Sequence, residues 1–161
     1  MAPLALWFVL GRTVASVTWM SSASMSPTLR ADPSDGVLVD RLSPRLRAPE
    51  RGEIVFFPLP DGQWVMKRVM GLPGDRISIA AGRVVANDRP VELPAVARIS
   101  YVNAGHLASG VTLQVKPGFY FVLGDDSSDS YDSRYWGCLA ATEIRGYARA
   151  IVWPPARARF L

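Results

Sequence analysis

Glycine and proline interrupt this chain so often that short strands are the elements with room to form. Thirteen of each occur in 161 residues. Between them lie apolar runs such as Gly36-Val37-Leu38-Val39-Asp40 and Gly52-Glu53-Ile54-Val55-Phe56-Phe57-Pro58. β-Branched and aromatic residues bounded by turn formers read as strands, so a mainly β fold is expected. Arg76-Ile77-Ser78-Ile79 and Arg83-Val84-Val85-Ala86-Asn87-Asp88 alternate sides about Ala80-Ala81-Gly82, which predicts a hairpin turning at the glycine. The one helix expected is N-terminal. The chain shows no internal repeat or low-complexity linker, and its length suits one domain with a real core rather than two.

Two residues stand in runs that packing alone does not require. Ser24 lies in Ser22-Ala23-Ser24-Met25-Ser26-Pro27-Thr28-Leu29, and Lys67 in Val65-Met66-Lys67-Arg68-Val69-Met70-Gly71-Leu72-Pro73-Gly74-Asp75. A serine hydroxyl is a poor nucleophile until a neighbour takes its proton, and histidine is the usual base. The single histidine, His106, lies in Asn103-Ala104-Gly105-His106-Leu107-Ala108-Ser109-Gly110. That run reads as an exposed loop with no rigid element to aim an imidazole.

Of the 18 basic residues only Lys67 and Lys116 are lysines, and an arginine stays protonated and cannot act as base. Lys116 precedes Pro117-Gly118, a turn signal that leaves its amine in water. Lys67 ends the strand-like approach Gly62-Gln63-Trp64-Val65-Met66, which can strip water from its ammonium. Neutrality near pH 8 requires a fall of roughly 2 units from the reference value, about 3 kcal/mol, and burial alone can supply it. In isolation Lys67 would read as a surface strand lysine. In this setting the two runs point to a serine protease with a lysine base.

Together with Gly124-Asp125-Asp126-Ser127-Ser128-Asp129-Ser130-Tyr131-Asp132-Ser133-Arg134-Tyr135-Trp136-Gly137, these runs closely resemble the type I signal peptidase family. The three runs occur in the family's order, which is far more specific than any one of them. The resemblance covers residues 13–153, loosely in the middle. It implies that Ser24 is the nucleophile and Lys67 the general base. It implies further that the Ser22 hydroxyl joins the Ser24 backbone N–H in an oxyanion hole, that Ser130 orients the lysine, and that Asp132 and Arg134 form a supporting ion pair. The implied fold is a set of coiled antiparallel sheets forming a partial barrel. The implied substrates are exported preproteins with small residues, typically alanine, one and three places before the cut.

Chemistry supports these roles independently. A hydroxyl two residues before the nucleophile shares its face if the backbone is extended, which suits Ser22 as a donor to a developing oxyanion. A hydroxyl beside a lysine, such as that of Ser130, can hold its nitrogen in place. Outside this context Ser22 and Ser130 would read as turn or cap serines. Asp132 and Arg134 would share a face in an extended segment, where the carboxylate can fix the guanidinium fork; if exposed, the pair contributes little. Met20, Trp64 and Met66 are candidate pocket walls, equally suited to ordinary core.

The third run departs from the family's usual Gly-Asp-Asn-Arg-Asp-Asn-Ser. It lacks the arginine and carries extra carboxylates at 126 and 129, which bears on the loop holding Ser130. Clustered Asp125, Asp126, Asp129 and Asp132 invite a calcium reading, but the glycine and closing glutamate of an EF-hand loop are missing. No metal-ligand spacing is visible, so no cofactor is expected. The family usually carries an extra β domain between the second and third runs. Here residues 77–119 fill that interval, so the insertion is expected to be reduced or absent.

Residues 1–20 form a candidate membrane segment ahead of a single catalytic domain over 21–161. Leu4-Ala5-Leu6-Trp7-Phe8-Val9-Leu10 is strongly apolar, yet a helix over 1–11 reaches only about 16 Å into a core of about 30 Å. Extending it to Met20 places Arg12 near the middle, at about 3 kcal/mol. The segment is thus either a shallow anchor or part of a longer spanning helix. A cleaved signal peptide is disfavoured because no basic residue precedes the apolar run. The expected location is the cell membrane, with the catalytic domain on the extracytoplasmic side and lipid as a partner.

The net charge of +4 invites nucleic-acid binding, but the arginines are dispersed. Their one cluster, Arg41, Arg45, Arg47 and Arg51, suits anionic lipid as well, so no nucleic-acid partner is expected. The lone Cys138 excludes an internal disulfide and reads as a small buried apolar residue. Among proteases the runner-up is a specialised maturation peptidase for pilin or conjugation proteins. A self-cleaving repressor lacks its DNA-binding module here.

Overall fold

The computed structural model describes residues 14–161. In chain order, β1 (Ala15–Trp19), β2 (Gly36–Asp40), β3 (Ile54–Pro58) and β4 (Trp64–Gly71) enter a main sheet. β5 (Arg76–Ala80), β6 (Arg83–Ala86), β7 (Arg89–Pro90) and β8 (Leu113–Gln114) form a smaller one. β9 (Phe119–Leu123), β10 (Leu139–Ala140), β11 (Gly146–Trp153) and β12 (Arg159–Phe160) return to the main sheet. A single helical turn, α1 (Ser133–Trp136), stands between β9 and β10.

The main sheet runs β1-β2-β11-β3-β4-β9-β10, with β12 against β11, and every pairing is antiparallel. No pairing joins β1 to β10 among the described residues, so the sheet does not close into a barrel.

The expected hairpin is present. β5 and β6 are joined by Ala81-Gly82, with φ of 49° and 74°. Positive φ at both turn positions matches the right-handed twist of the flanking strands. Period-2 alternation buries Ile77, Ile79, Val84 and Ala86 on one face. This small sheet occupies much of the interval between the second and third runs. Gly71 sits where β4 leaves the main sheet for the small one. A Cβ there would meet Phe121 Cβ at 2.7 Å and Ile77 Cγ1 at 2.8 Å, so only a bare α-carbon fits between these two side chains.

β4 is buried on both faces from Met66 onward. Val65 and Val69 pack with Val55, Phe57, Tyr120 and Tyr147, and Met66 packs on the other face with Met20, Met25, Leu29 and Phe56. From Met66 onward the strand therefore runs through the core, and a side chain there is desolvated.

The expected N-terminal apolar helix lies outside the described residues. Its extension to Met20 does not occur, because Ala15–Trp19 is a strand paired residue for residue with β2. No helix of the described residues is long and apolar enough to cross a membrane.

Candidate active site

Ser24 lies in the turn after β1, where the Ser26 N–H donates to the Ala23 carbonyl at 2.7 Å and the Leu29 N–H to Met25 at 2.9 Å. Met25 and Leu29 are fully buried and pin that turn to the core. Lys67 stands in β4 opposite Val55 of β3. Alternation gives it the same face as Val65 and Val69. The turn and the strand together bring Lys67 Nζ to 2.6 Å from Ser24 Oγ.

Lys67 is only 2% exposed. Burial disfavours its charged form and is the main cause of a pKa lowered to about 8. The negative charge of Asp132 acts upward and the positive charge of Arg134 downward. Ser22 Oγ lies 3.2 Å from Ser24 Oγ, so both serine hydroxyls and the amine form one cluster.

The third run closes over this cluster from the end of β9. The Asp126 N–H donates to the Ser24 carbonyl at 3.0 Å, and the Gly124 N–H donates to Asp132 Oδ2 at 3.0 Å. A side chain at Gly124 would overlap both the Ser24 carbonyl and Ser130 Oγ, so the bare backbone is what lets the two segments meet. Ser130 is buried here, but its hydroxyl has no hydrogen-bond partner among the described residues and makes no bond to Lys67.

Asp132 and Arg134 are fully buried and form a fork, with Nε to Oδ1 and Nη2 to Oδ2 both at 2.8 Å. The backbone reason differs from the expected extended segment. Asp132 is the N-cap of α1, accepting from the Arg134 N–H, which leaves its carboxylate facing the guanidinium. Arg134 also donates to Ser127 Oγ at 2.7 Å and to the Val102 carbonyl at 3.0 Å.

A second buried pair was not foreseen. Arg68 grips Asp125 through Nε at 2.9 Å and Nη2 at 2.5 Å, and Thr28 Oγ1 donates to the same carboxylate at 2.5 Å. Asp125 and Asp132 thus each serve a separate arginine. No group of three or more His, Cys, Asp or Glu placed to hold a metal occurs among the described residues. His106 and Lys116 are exposed.

Ser24 and Lys67 open onto a cleft of about 630 Å³ whose apolar walls include Phe57, Leu59, Val65, Trp136 and Leu139. Met20, Trp64 and Met66 do not line it. Trp64 and Met66 lie an odd number of residues from Lys67 and turn to the other face, where Trp64 stacks on Phe56 at 4.8 Å and Met66 joins Met20 in the core. Cys138 is half-buried on the cleft wall rather than buried, and its thiol pKa is raised by burial.

A family model described as signal peptidase, peptidase S26, matches residues 1–153. The chain is similar to a probable signal peptidase I-2 of Synechocystis, 32% identical over 176 aligned positions that cover 96% of this chain and 77% of the relative. It is 33% identical over 135 residues to signal peptidase I V of Bacillus subtilis, covering 79% of each. A crystal structure of a signal peptidase I from Enterococcus faecalis superposes with a TM-score of 0.52 at 30% identity, over 62% of this chain and 96% of that one. With a matching model over most of its length and relatives about one-third identical, the chain belongs to the signal peptidase family, peptidase S26.

Proposed function

We propose that this chain removes signal peptides from exported preproteins by acyl transfer, with Ser24 as nucleophile and Lys67 as general base. The observation that carries this mechanism is the 2.6 Å contact between Ser24 Oγ and a buried amine whose pKa is lowered to about 8. Ser24 Oγ attacks the scissile carbonyl carbon as Lys67 Nζ takes its proton. The carbonyl oxygen, now negative, meets the Ser24 backbone N–H and the Ser22 hydroxyl. Lys67 then returns the proton to the leaving amine, which departs as the mature chain and leaves an ester on Ser24. A water deprotonated by Lys67 hydrolyses that ester and restores both groups. Every proton in the cycle moves through this amine, and no metal or cofactor is required.

Ser130 holds the amine toward Ser24 when substrate fills the site. Asp132 and Arg134 fix the loop that carries Ser130. An extended substrate presents alternate side chains to the cleft, and its apolar walls receive small residues one and three places before the cut. Residues 77–119 form the reduced insertion of a single catalytic domain whose sheets are coiled toward a partial barrel. Attachment to the cell membrane, with this domain on the extracytoplasmic side, is through the segment preceding β1. Of the arginines at 41, 45, 47 and 51, Arg47 is paired with Glu53 and Arg51 with Asp75, which leaves Arg41 and Arg45 to serve anionic lipid rather than nucleic acid.

Incubating the full-length chain in detergent with a purified preprotein is expected to release the mature protein, its new N-terminus following a small residue. Mass spectrometry of the quenched reaction is expected to find the ester on Ser24. An unprocessed preprotein, or cleavage away from the signal-peptide junction, contradicts the assignment.

A further inference from the structure

The cleft that holds Ser24 and Lys67 is acidic, although the chain carries a net charge of +4. Asp61, Asp129 and Glu143 line it, and the sole basic side chain in its lining is Lys67 itself. The three carboxylates are exposed, and none forms a salt bridge among the described residues. Asp129 stands where the family pattern has asparagine, while Ser128 replaces that pattern's aspartate one place earlier, so the run gains one carboxylate net.

Exposed carboxylates alone would be a solvated surface, but two further features of this cleft point to a cation carried on a peptide. Tyr131 also lines it, is 62% exposed, and stacks on Tyr135 with centroids 5.6 Å apart and planes 24° from parallel. An exposed aromatic ring lining the same cleft as carboxylates without a salt-bridge partner suits an alkylammonium or guanidinium, which gains from the ring quadrupole and from the negative charge together. The nucleophile lies in the same cleft, so a substrate backbone has to pass among these groups for Ser24 Oγ to reach its carbonyl.

We propose that Asp129 and Tyr131, with Asp61 and Glu143 along the same cleft, select preproteins bearing a lysine or arginine side chain close to the scissile bond. The selectivity rests on the peptidase mechanism above and deepens it by naming a substrate feature besides the small residues. Like other complementary charges near a surface, these act on encounter and on positioning of the substrate, and they are screened by salt.

The test uses the full-length chain in detergent and a set of signal-junction peptides with alanine one and three places before the cut. Lysine or glutamate is placed in turn at every other position from five before to three after. At low salt, kcat/KM for the lysine peptide is expected to exceed that for its glutamate partner by about tenfold at one or more positions, shrinking to about twofold at high salt. Asp129→Asn and Tyr131→Ala are each expected to reduce that ratio. Because the readout is a ratio within one enzyme preparation, a partly unfolded variant does not mimic the effect. Ratios near unity at every position, or ratios that both substitutions leave intact, overturn the proposal while cleavage of the peptides still upholds the mechanism. Failure to cleave any peptide overturns both.

Discussion

Lys67→Met is expected to lower kcat on a preprotein by at least about 10³-fold, because the hydroxyl of Ser24 then has no group to take its proton. Lys67→Arg should lose as much, since a guanidinium keeps its proton. Ser24→Ala should match it, and the double variant Ser24→Ala/Lys67→Met should be no worse than either single one, because the two groups act as a unit. Stability separates this outcome from misfolding. Methionine fills similar space without placing a charge among Val55, Val65 and Val69, so the melting temperature at neutral pH should hold or rise.

The sign of the pH effect follows from the lowered pKa of Lys67, about 8 in the fold against an ordinary 10.5. The unfolded chain binds the extra proton between these values, so native stability rises with pH across that window, by about 3 kcal/mol in full. Below about pH 8 the buried ammonium exerts its whole penalty. The methionine variant should lack that rise. A kcat within tenfold of the parent for Lys67→Met removes Lys67 from the mechanism.

Asp132→Ala is expected to cost about 3–5 kcal/mol, because it strands a fully buried guanidinium. Gly124 loses the acceptor of its N–H, and α1 loses its cap. For a domain of this size the melting temperature should fall by about 10 °C or more. The variant Asp132→Asn/Arg134→Met keeps the cap and removes the stranded charge, so it should recover part of the loss. A fall of about 2 °C or less for Asp132→Ala would mean that the pair does not hold the third run.

Much of this site was legible in the chain for identifiable reasons. Elimination among the bases singles out Lys67, because sixteen arginines cannot take a proton, one histidine lies in a loop and the other lysine sits at a turn, and Lys67 is the lysine that the fold places 2.6 Å from Ser24 Oγ. The hairpin of β5 and β6 is legible because its apolar residues keep strict period 2. The same parity, applied to β4, already separates Trp64 and Met66 from Lys67, so their placement away from the cleft was readable as well. Asp132 before a four-residue turn ended by Gly137 carries an N-cap signature that the expectation of an extended segment overlooked.

Other features lie beyond sequence logic. Arg68 and Asp125 are 57 residues apart, and no local rule pairs them. Nor does any local rule set the 43-residue closure that brings Ser24 to Lys67. The strand over Ala15–Trp19 was obscured by an apolar stretch that reads equally well as a helix. Its identity is decided by a partner strand, β2, which supplies the hydrogen bonds that a helix would have made for itself.

The neutrality of Lys67 near pH 8 can be measured directly, because the chain has only two lysines. With lysine labelled at Cε and Nζ, the resonance lost in Lys67→Arg identifies Lys67, and its titration can be followed in the Ser24→Ala protein. The expected midpoint is about 8, with the alkaline rise of kcat/KM in the parent enzyme sharing that midpoint. A midpoint near the ordinary 10.4 of a solvated amine, with activity indifferent to pH between about 7 and 9, would contradict a lysine base.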